Sequence, residues 1–424
     1  MNRLLIKNGR VVDPLNNVDE IRDIYVENGY IQAVPPREYS RKIFDATGMI
    51  VVPGLVDLHV HFREPGFEYK EDILTGSRAV ARGGFTTVCC MPNTNPVTDN
   101  KEIVEFILRK GKEAGLVNLL VAGALSKGQK GLEHADYPGM AESGAAAFSD
   151  DGKTLMDRQL MISAAKQIKK MGLFISDHAE NHDANKNGVI NEGEVSRKLG
   201  LAGISNSVEA DIVKRDIKIA KETGCHIHLQ HISTEESAAL IREAKQDGLP
   251  VTAEAAPHHF VLTQDAVLIH GANAKMNPPL RRESDRQAII EAIKDGTIDA
   301  IATDHAPHSC EEKALPLQSA PFGIAGLETA FALSYSTLVL GKYISLMKMI
   351  ELVSLNPARI LGNKEYGLNT GAAADIAVFD INSPYVINKD DFVSKGKNTP
   401  FDGKIVYGRT VLTVCGGNIT YKWR

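Results

Sequence analysis

From about residue 50 to residue 310 the chain alternates short apolar runs with amphipathic stretches. The runs read MIVVPGLVDLHVH, FTTVCCMP, VNLLVAGAL, AAAFSD, LFISDHA, CHIHLQHI, PVTAEAAPHH and DAIATDHAP, eight in all. Continuous runs of this length, rich in β-branched and aliphatic residues, predict strands buried on both faces, as in a parallel sheet. The stretches between them have helical spacing, and many stop on a glycine just before the next run: Gly84, Gly115, Gly172, Gly224, Gly248 and Gly296. Glycine after the last helical residue is the usual left-handed cap. Helix starts are marked by the capping-box spacings Asp99-x-x-Glu102 and Ser233-x-x-Glu236. Eight strand–helix units with parallel crossovers predict an α/β protein built on a (β/α)8 TIM barrel. A doubly wound open sheet is the alternative, but no GxGxxG follows the first strand.

The flanks follow a different rhythm. Residues 1–49 (LLIKNGRVV, DIYVENGYIQAV, KIFDATG) alternate with a period of two and carry Asn-Gly pairs, which are hairpin signals. The tail from residue 366 (ADIAVFDI, GKIVYGRTVLTVCGGNITY) reads the same way. The expected organisation is therefore a catalytic barrel over 50–365 and a small β-sandwich domain assembled from 1–49 and 366–424. Residues 345–362 read as one further helix closing on NPARILG.

Polar residues cluster at one end of the apolar runs, with few comparable groups at the other. The first run finishes Asp57-Leu-His59-Val-His61, and alternation along a strand puts all three polar side chains on one face. Polar groups ending a core strand are costly unless something binds them. Asn93 follows the second run, Asp150-Asp151 the fourth, His178 the fifth, His231 the sixth, His258-His259 the seventh, and Asp304-His305 the eighth, with His308 just beyond. Barrel enzymes carry their chemistry at these carboxyl ends. One such histidine is explained by a backbone hydrogen bond, but the set points to a metal centre. His59, His61, Asp151, His178, His231 and Asp304 are too many donors for one tetrahedral zinc, and suit two metals that share a carboxylate.

The 424 residues are 43% hydrophobic and 24% charged with a net charge of -5, which is ordinary globular composition without a basic footprint for nucleic acid or an anionic membrane surface. No apolar run reaches the roughly 18 residues a membrane span needs. The first residues, MNRLLIKNGRVVDP, lack the apolar core of a signal peptide, and five scattered cysteines without CxxC spacing suit a reducing cytoplasm.

Taken together, DLHVHFREPG, MPNTNP, FSDDG, DHAE, HLQHIS, TAEAAPHHF, DAIATDHAPH and GLET resemble the bacterial type I dihydroorotases of the amidohydrolase superfamily along the whole chain. The resemblance implies reversible cyclisation of N-carbamoyl-L-aspartate to L-dihydroorotate in pyrimidine synthesis, with two zinc ions per subunit. It implies that His59, His61 and Asp304 hold the first zinc, that His178 and His231 hold the second, and that Asp151 bridges them. Asp304 would be the catalytic acid-base group. Arg63, Asn93 and His308 would hold the substrate carboxylate, while Asn277 and the Phe322–Gly323 backbone would touch the ring and His61 would border it. A homodimer and a complex with aspartate carbamoyltransferase are the associations it suggests. Many amidohydrolases bridge their metals with a carboxylated lysine; this chain has Asp150-Asp151-Gly152-Lys153 there, so the bridge is expected to be Asp151, with Gly152 letting the backbone approach and Lys153 on the surface.

The segment PHSCEEKALPLQSAPFGIAG is polar with Pro and Gly at its end, and is expected to close over the pocket. Asp183 to Glu194 satisfies the spacing of a calcium loop, but a strand precedes it, so it is read as a plain barrel loop. His226 and His228 lie mid-strand and are read as structural. The rival functions are allantoinase- or dihydropyrimidinase-like hydrolysis of rings lacking a carboxylate, and a non-catalytic scaffold for aspartate carbamoyltransferase. Arg63 and Asn93 argue against the first, and the intact ligand set argues against the second.

Overall fold

The computed structural model describes residues 3–33 and 42–423; residues 1, 2, 34–41 and 424, which fall in the expected terminal segments, lie outside the described residues. Each of the eight apolar runs contributes one barrel strand: β1 (Leu55–Val60), β2 (Phe85–Cys90), β3 (Asn118–Gly123), β4 (Ala147–Phe148), β5 (Ile175–Asp177), β6 (Ile227–Leu229), β7 (Val251–Ala255) and β8 (Ala300–Ile301). They pair in chain order, and every pair is parallel. The ring closes where Val60 bridges to His305 in parallel and the His61 N–H donates to the His305 carbonyl at 2.9 Å. All six residues of β1 are buried, as a strand between a filled barrel and its helices must be.

The six glycines expected to stop helices all have left-handed backbones, with φ between +62° and +87°. Both capping boxes are displaced by one residue. Asn100, not Asp99, caps Lys101–Ala114 by accepting from the Ile103 N–H, and Asp99 instead accepts from the Gly128 N–H at 2.8 Å. Thr234, not Ser233, caps Glu235–Gln246, and the Ser233 hydroxyl donates to buried Glu209. In each case two polar residues precede the helix, and a tertiary partner takes the first.

The terminal segments share one sheet. Arg3–Asp13, Val18–Glu27, Tyr30–Gln32, Lys42–Asp45 and Ile50–Pro53 join Ile376–Asp380, Arg409–Cys415 and Asn418–Lys422. Ile50–Pro53 links the two halves, pairing parallel with Arg10–Val11 and antiparallel with Ile376–Phe379. The first apolar run is thus two strands rather than one, divided at Gly54, whose N–H donates to the Asp375 carbonyl at 2.9 Å. Both pieces are core, so hydrophobicity alone does not mark the break: Ile50 and Val52 pack with the barrel, Val51 with Leu4, Ile6 and Val11. The two Asn-Gly pairs also differ. Asn28-Gly29 turns the hairpin between Val18–Glu27 and Tyr30–Gln32, whereas Asn8-Gly9 sits at a register shift inside one strand, where the extra residue makes a bulge. The expected helix over 345–362 runs from Leu346 to Ile360 with a π-helical turn at Glu351–Leu355.

Candidate metal centre and catalytic pocket

Strand ends bring the polar residues to one floor. Two sets of ligand atoms lie within 4.8 Å of one another, His59 with His61 and Asp151, and Asp151 with His178 and His231. Asp151 belongs to both. Its Oδ1 is 3.2 Å from His59 Nε2 and 3.8 Å from His178 Nδ1, and its Oδ2 is 3.5 Å from His61 Nε2. Asp304 reaches over from β8, with Oδ1 3.0 Å from His61 Nε2 and 3.6 Å from His59 Nε2.

Partners behind the rings set which nitrogen faces the floor. His59 Nδ1 donates to Glu254 Oε1 at 3.0 Å and His61 Nδ1 donates to Asn93 Oδ1 at 2.8 Å, which leaves both Nε2 lone pairs pointing inward. His178 is reversed: Nε2 donates to Glu180 Oε2 at 3.0 Å, and Nδ1 meets His231 Nε2 at 3.0 Å. A carboxylate behind a metal-binding imidazole fixes its tautomer and raises its basicity. Glu254 does this from β7, and also accepts from His228 Nε2 at 3.0 Å and from the His231 N–H at 3.3 Å. Burial opposes its charge, but the bonds from His228 and His59 outweigh that and hold its pKa down to about 2.

The donor set fits a metal. His59 Nε2, facing Asp151 and Asp304, is buried without a hydrogen-bond partner, a costly arrangement in a site this polar unless an ion completes it. Burial disfavours a charged His59, yet the carboxylates of Asp151, Glu254 and Asp304 raise its pKa well above the usual value. Asp151 is held well below the carboxylate range by His59, His61 and His178 despite burial, and His231 is kept neutral by burial and by those same imidazoles His178 and His59. Ionised aspartate and neutral imidazole are the forms that bind metal.

Three of these residues have backbones that side chains rarely adopt: His231 at φ +30°, Asp304 at +46° and Arg63 at +61°. Left-handed non-glycine residues cluster where function over-determines the structure. Gly152 is left-handed too, at +73°, but a β-carbon there would meet only Asn93 Nδ2 at 3.7 Å, so the turn needs its φ rather than its lack of bulk.

Above the floor is a cavity of about 310 Å³ whose lining includes every residue expected to touch substrate. Arg63 Nη2 lies 3.5 Å from His308 Nε2, and Arg63 Nε is buried without a partner. His308 donates from Nε2 to the Phe322 carbonyl at 2.7 Å, and burial together with Arg63, Lys70 and Lys313 pushes its pKa down to about 3. Asn93 spans two ligand residues, accepting from His61 and donating to Asp151 Oδ2 at 3.1 Å. Asn277 donates to Glu180 Oε2 at 2.7 Å, so it supports His178 while lining the cavity.

Several expectations concerned residues left outside the floor. Lys153 is exposed. His228 and His226 both bond to the Thr252 hydroxyl, and His259 donates to the Pro278 carbonyl at 3.0 Å. Asn185, in the calcium-like loop, uses its carbonyl oxygen to accept from the Gly188 N–H at 2.8 Å. Sequence reasoning passed over Glu254 and Glu180. Glu254 is the one carboxylate within its apolar run, and Glu180 follows His178 by two residues, which is the available signal.

A Dihydro-orotase-like family model matches residues 48–237. The dihydroorotase of Elusimicrobium minutum is 46% identical over 422 residues, spanning 98% of this chain and 97% of that protein. The dihydroorotase of Aquifex aeolicus is 45% identical over 424 residues, spanning 100% of both. Among solved structures, an L-hydantoinase (dihydropyrimidinase) from Arthrobacter aurescens superposes with a TM-score of 0.86 at 25% identity, covering 100% of this chain and 96% of its own. A dihydropyrimidinase from Brevibacillus agri NCHU1002 gives 0.84 at 20% identity, covering 99% and 95%.

Proposed function

Since the chain belongs to the dihydroorotase family, we propose that it catalyses the reversible closure of N-carbamoyl-L-aspartate to L-dihydroorotate, a step of pyrimidine synthesis. The supporting observation is one carboxylate, Asp151, shared by two histidine sets beneath a cavity that Arg63 also lines. The metal is assigned as zinc, two ions per subunit, because imidazole and carboxylate donors in sets of three suit it. His59, His61 and Asp304 would hold one, His178 and His231 the other, with Asp151 between. Bound there, the metals supply Lewis acidity and a water of lowered pKa.

The chain's own groups do the rest. Asp304 accepts a proton from the attacking water as its oxygen adds to the ring amide carbonyl. It then delivers that proton to the ring nitrogen as the C–N bond breaks; ring closure runs the same transfers in reverse. Arg63 offers a guanidinium fork to the substrate carboxylate, with Asn93 and His308 beside it. Asn277 and the Phe322–Gly323 wall confine the ring. A location in the cytoplasm fits the five free cysteines, and no helix among the described residues is long and apolar enough to cross a membrane.

The reading is tested by incubating metal-analysed protein with L-dihydroorotate, dihydrouracil and allantoin and following ring opening. Turnover of dihydroorotate far above the other two is expected. Preference for a ring without a carboxylate would place the chain with the hydantoinase-like enzymes that share its fold.

A further inference from the structure

The segment bordering the cavity, residues 309–323, is exposed over much of its length, with Leu317 packed on the core and Ala320 buried. Glu311, Ala314, Leu315, Pro316, Gln318 and Ser319 are exposed, and Leu315 keeps 46% of its surface. It is tied to the body by the Lys70–Glu312 ion pair at 2.9 Å and the Asn398 Nδ2 bond to the Gly323 carbonyl at 3.0 Å, and two ammonium groups bind its backbone, Lys275 from outside the segment and Lys313 from within it. Lys275, only 3% exposed, donates from Nζ to the carbonyls of Leu317 at 2.8 Å, Gln318 at 3.1 Å and Ala320 at 2.7 Å. Lys313 donates from Nζ to the carbonyls of Pro321 at 2.9 Å and Gly323 at 3.0 Å, and to that of Lys275 at 3.4 Å. An ammonium has three protons and no acceptor, so three converging carbonyls satisfy it in full. The Lys275 carbonyl also accepts from the Gly323 N–H at 3.0 Å, and its ammonium lies 4.5 Å from the centre of the Phe322 ring.

The end of the segment is the wall of the cavity. Gly323 has φ +136°, and a β-carbon on it would come within 2.6 Å of the Ala306 carbonyl, so the backbone is pressed against the loop after β8. The Phe322 carbonyl receives the proton of His308. Moving the segment would therefore move the wall and release His308.

We propose that Lys275, from outside this segment, and Lys313, bracing it from within, are positioning residues that bind its backbone carbonyls and so set the Phe322–Gly323 wall and His308 for substrate binding. The proposal rests on the dihydroorotase reading for its substrate, but the clasp itself does not. A methionine keeps the length of the lysine stem and loses all three donors. A wall that binds substrate and transition state alike changes KM rather than kcat.

The test uses Lys275→Met and Lys313→Met, compared with the unaltered protein by steady-state kinetics on L-dihydroorotate, metal content and amide hydrogen exchange. The expected result is a KM raised about tenfold or more by Lys275→Met and less by Lys313→Met, with kcat changed by less than about threefold, as loss of charge-assisted bonds at a binding wall predicts. Exchange should rise across 314–323 alone, with metal content unchanged. Unaltered exchange in that segment, or faster exchange across the barrel strands with loss of metal, would overturn the proposal. Should Lys275→Met fail to fold, Lys313→Met, whose side chain is only partly buried, decides the question by the same readouts. If the unaltered protein does not turn over dihydroorotate, the functional reading falls, while the exchange measurement, which needs no substrate, still decides the clasp.

Discussion

His59 and His61 on the cavity floor and Phe322–Gly323 on its wall are held by different kinds of bonds. The histidines end a fully buried strand, and buried Glu254 and Asn93 fix their outer nitrogens. The wall ends a segment with an exposed outer surface, bound through main-chain carbonyls by Lys275 from the body and by Lys313 from within the segment. A metal site tolerates little displacement, because distances of about 2 Å must be met by several atoms together. A substrate wall must admit and release a ligand. The difference places buried side-chain bonds under the candidate ligands and main-chain bonds to lysines at the wall.

The comparison breaks most completely at Asp304. Asp304→Asn keeps the shape but removes the proton acceptor, and kcat is expected to fall about a thousandfold with most of the metal retained. Near-normal turnover in a metal analysis-matched assay would show that the floor binds without moving protons. On the wall side, Arg63→Met is expected to cost about 3 kcal/mol in kcat/KM for dihydroorotate, roughly a hundredfold, as for loss of one member of a buried charge pair. Dihydrouracil, with no carboxylate, should lose much less; equal losses would make Arg63 structural.

Glu254→Gln probes the floor without touching a donor atom. Metal affinity, measured by competition with a chelator, should drop about ten- to a hundredfold, the usual effect of removing the group behind a ligand histidine. An unchanged affinity would mean that strand packing alone orients His59. The smallest expected effect concerns the bridge. Asp151 is ionised without any chemistry and Lys153 is exposed, so metal-stripped protein should regain full activity on zinc alone. Recovery that needs bicarbonate, or an added carbon dioxide on a lysine in the intact mass, would contradict the assignment.

The floor was readable from sequence because each donor interrupts an apolar strand at the same end, where a lone polar side chain stands out. Glu254 and Glu180 were not, since an acid behind an imidazole has no spacing of its own. The left-handed backbones of His231, Asp304 and Arg63 leave no mark on residue type either. Caps at Asn100 and Thr234 were misplaced by one residue because local spacing cannot tell which of two adjacent polar side chains a distant Gly128 N–H or Glu209 will claim. The division of the first run at Gly54 was hidden for the opposite reason, as both sides of it are equally apolar.

The join between β1 and β8 has a consequence for how the protein is made. His61 and Asp304 are 243 residues apart in the chain, yet their side chains touch across that join. A ribosome extrudes His59 and His61 early and Asp304 only after nearly three-quarters of the polypeptide has emerged. The full set of candidate donors therefore exists only in chains whose last strand has docked against the first, and the free energy of metal binding to it would be added to the closed ring alone. Any stability that a bound metal lends would therefore favour finished barrels over incomplete ones.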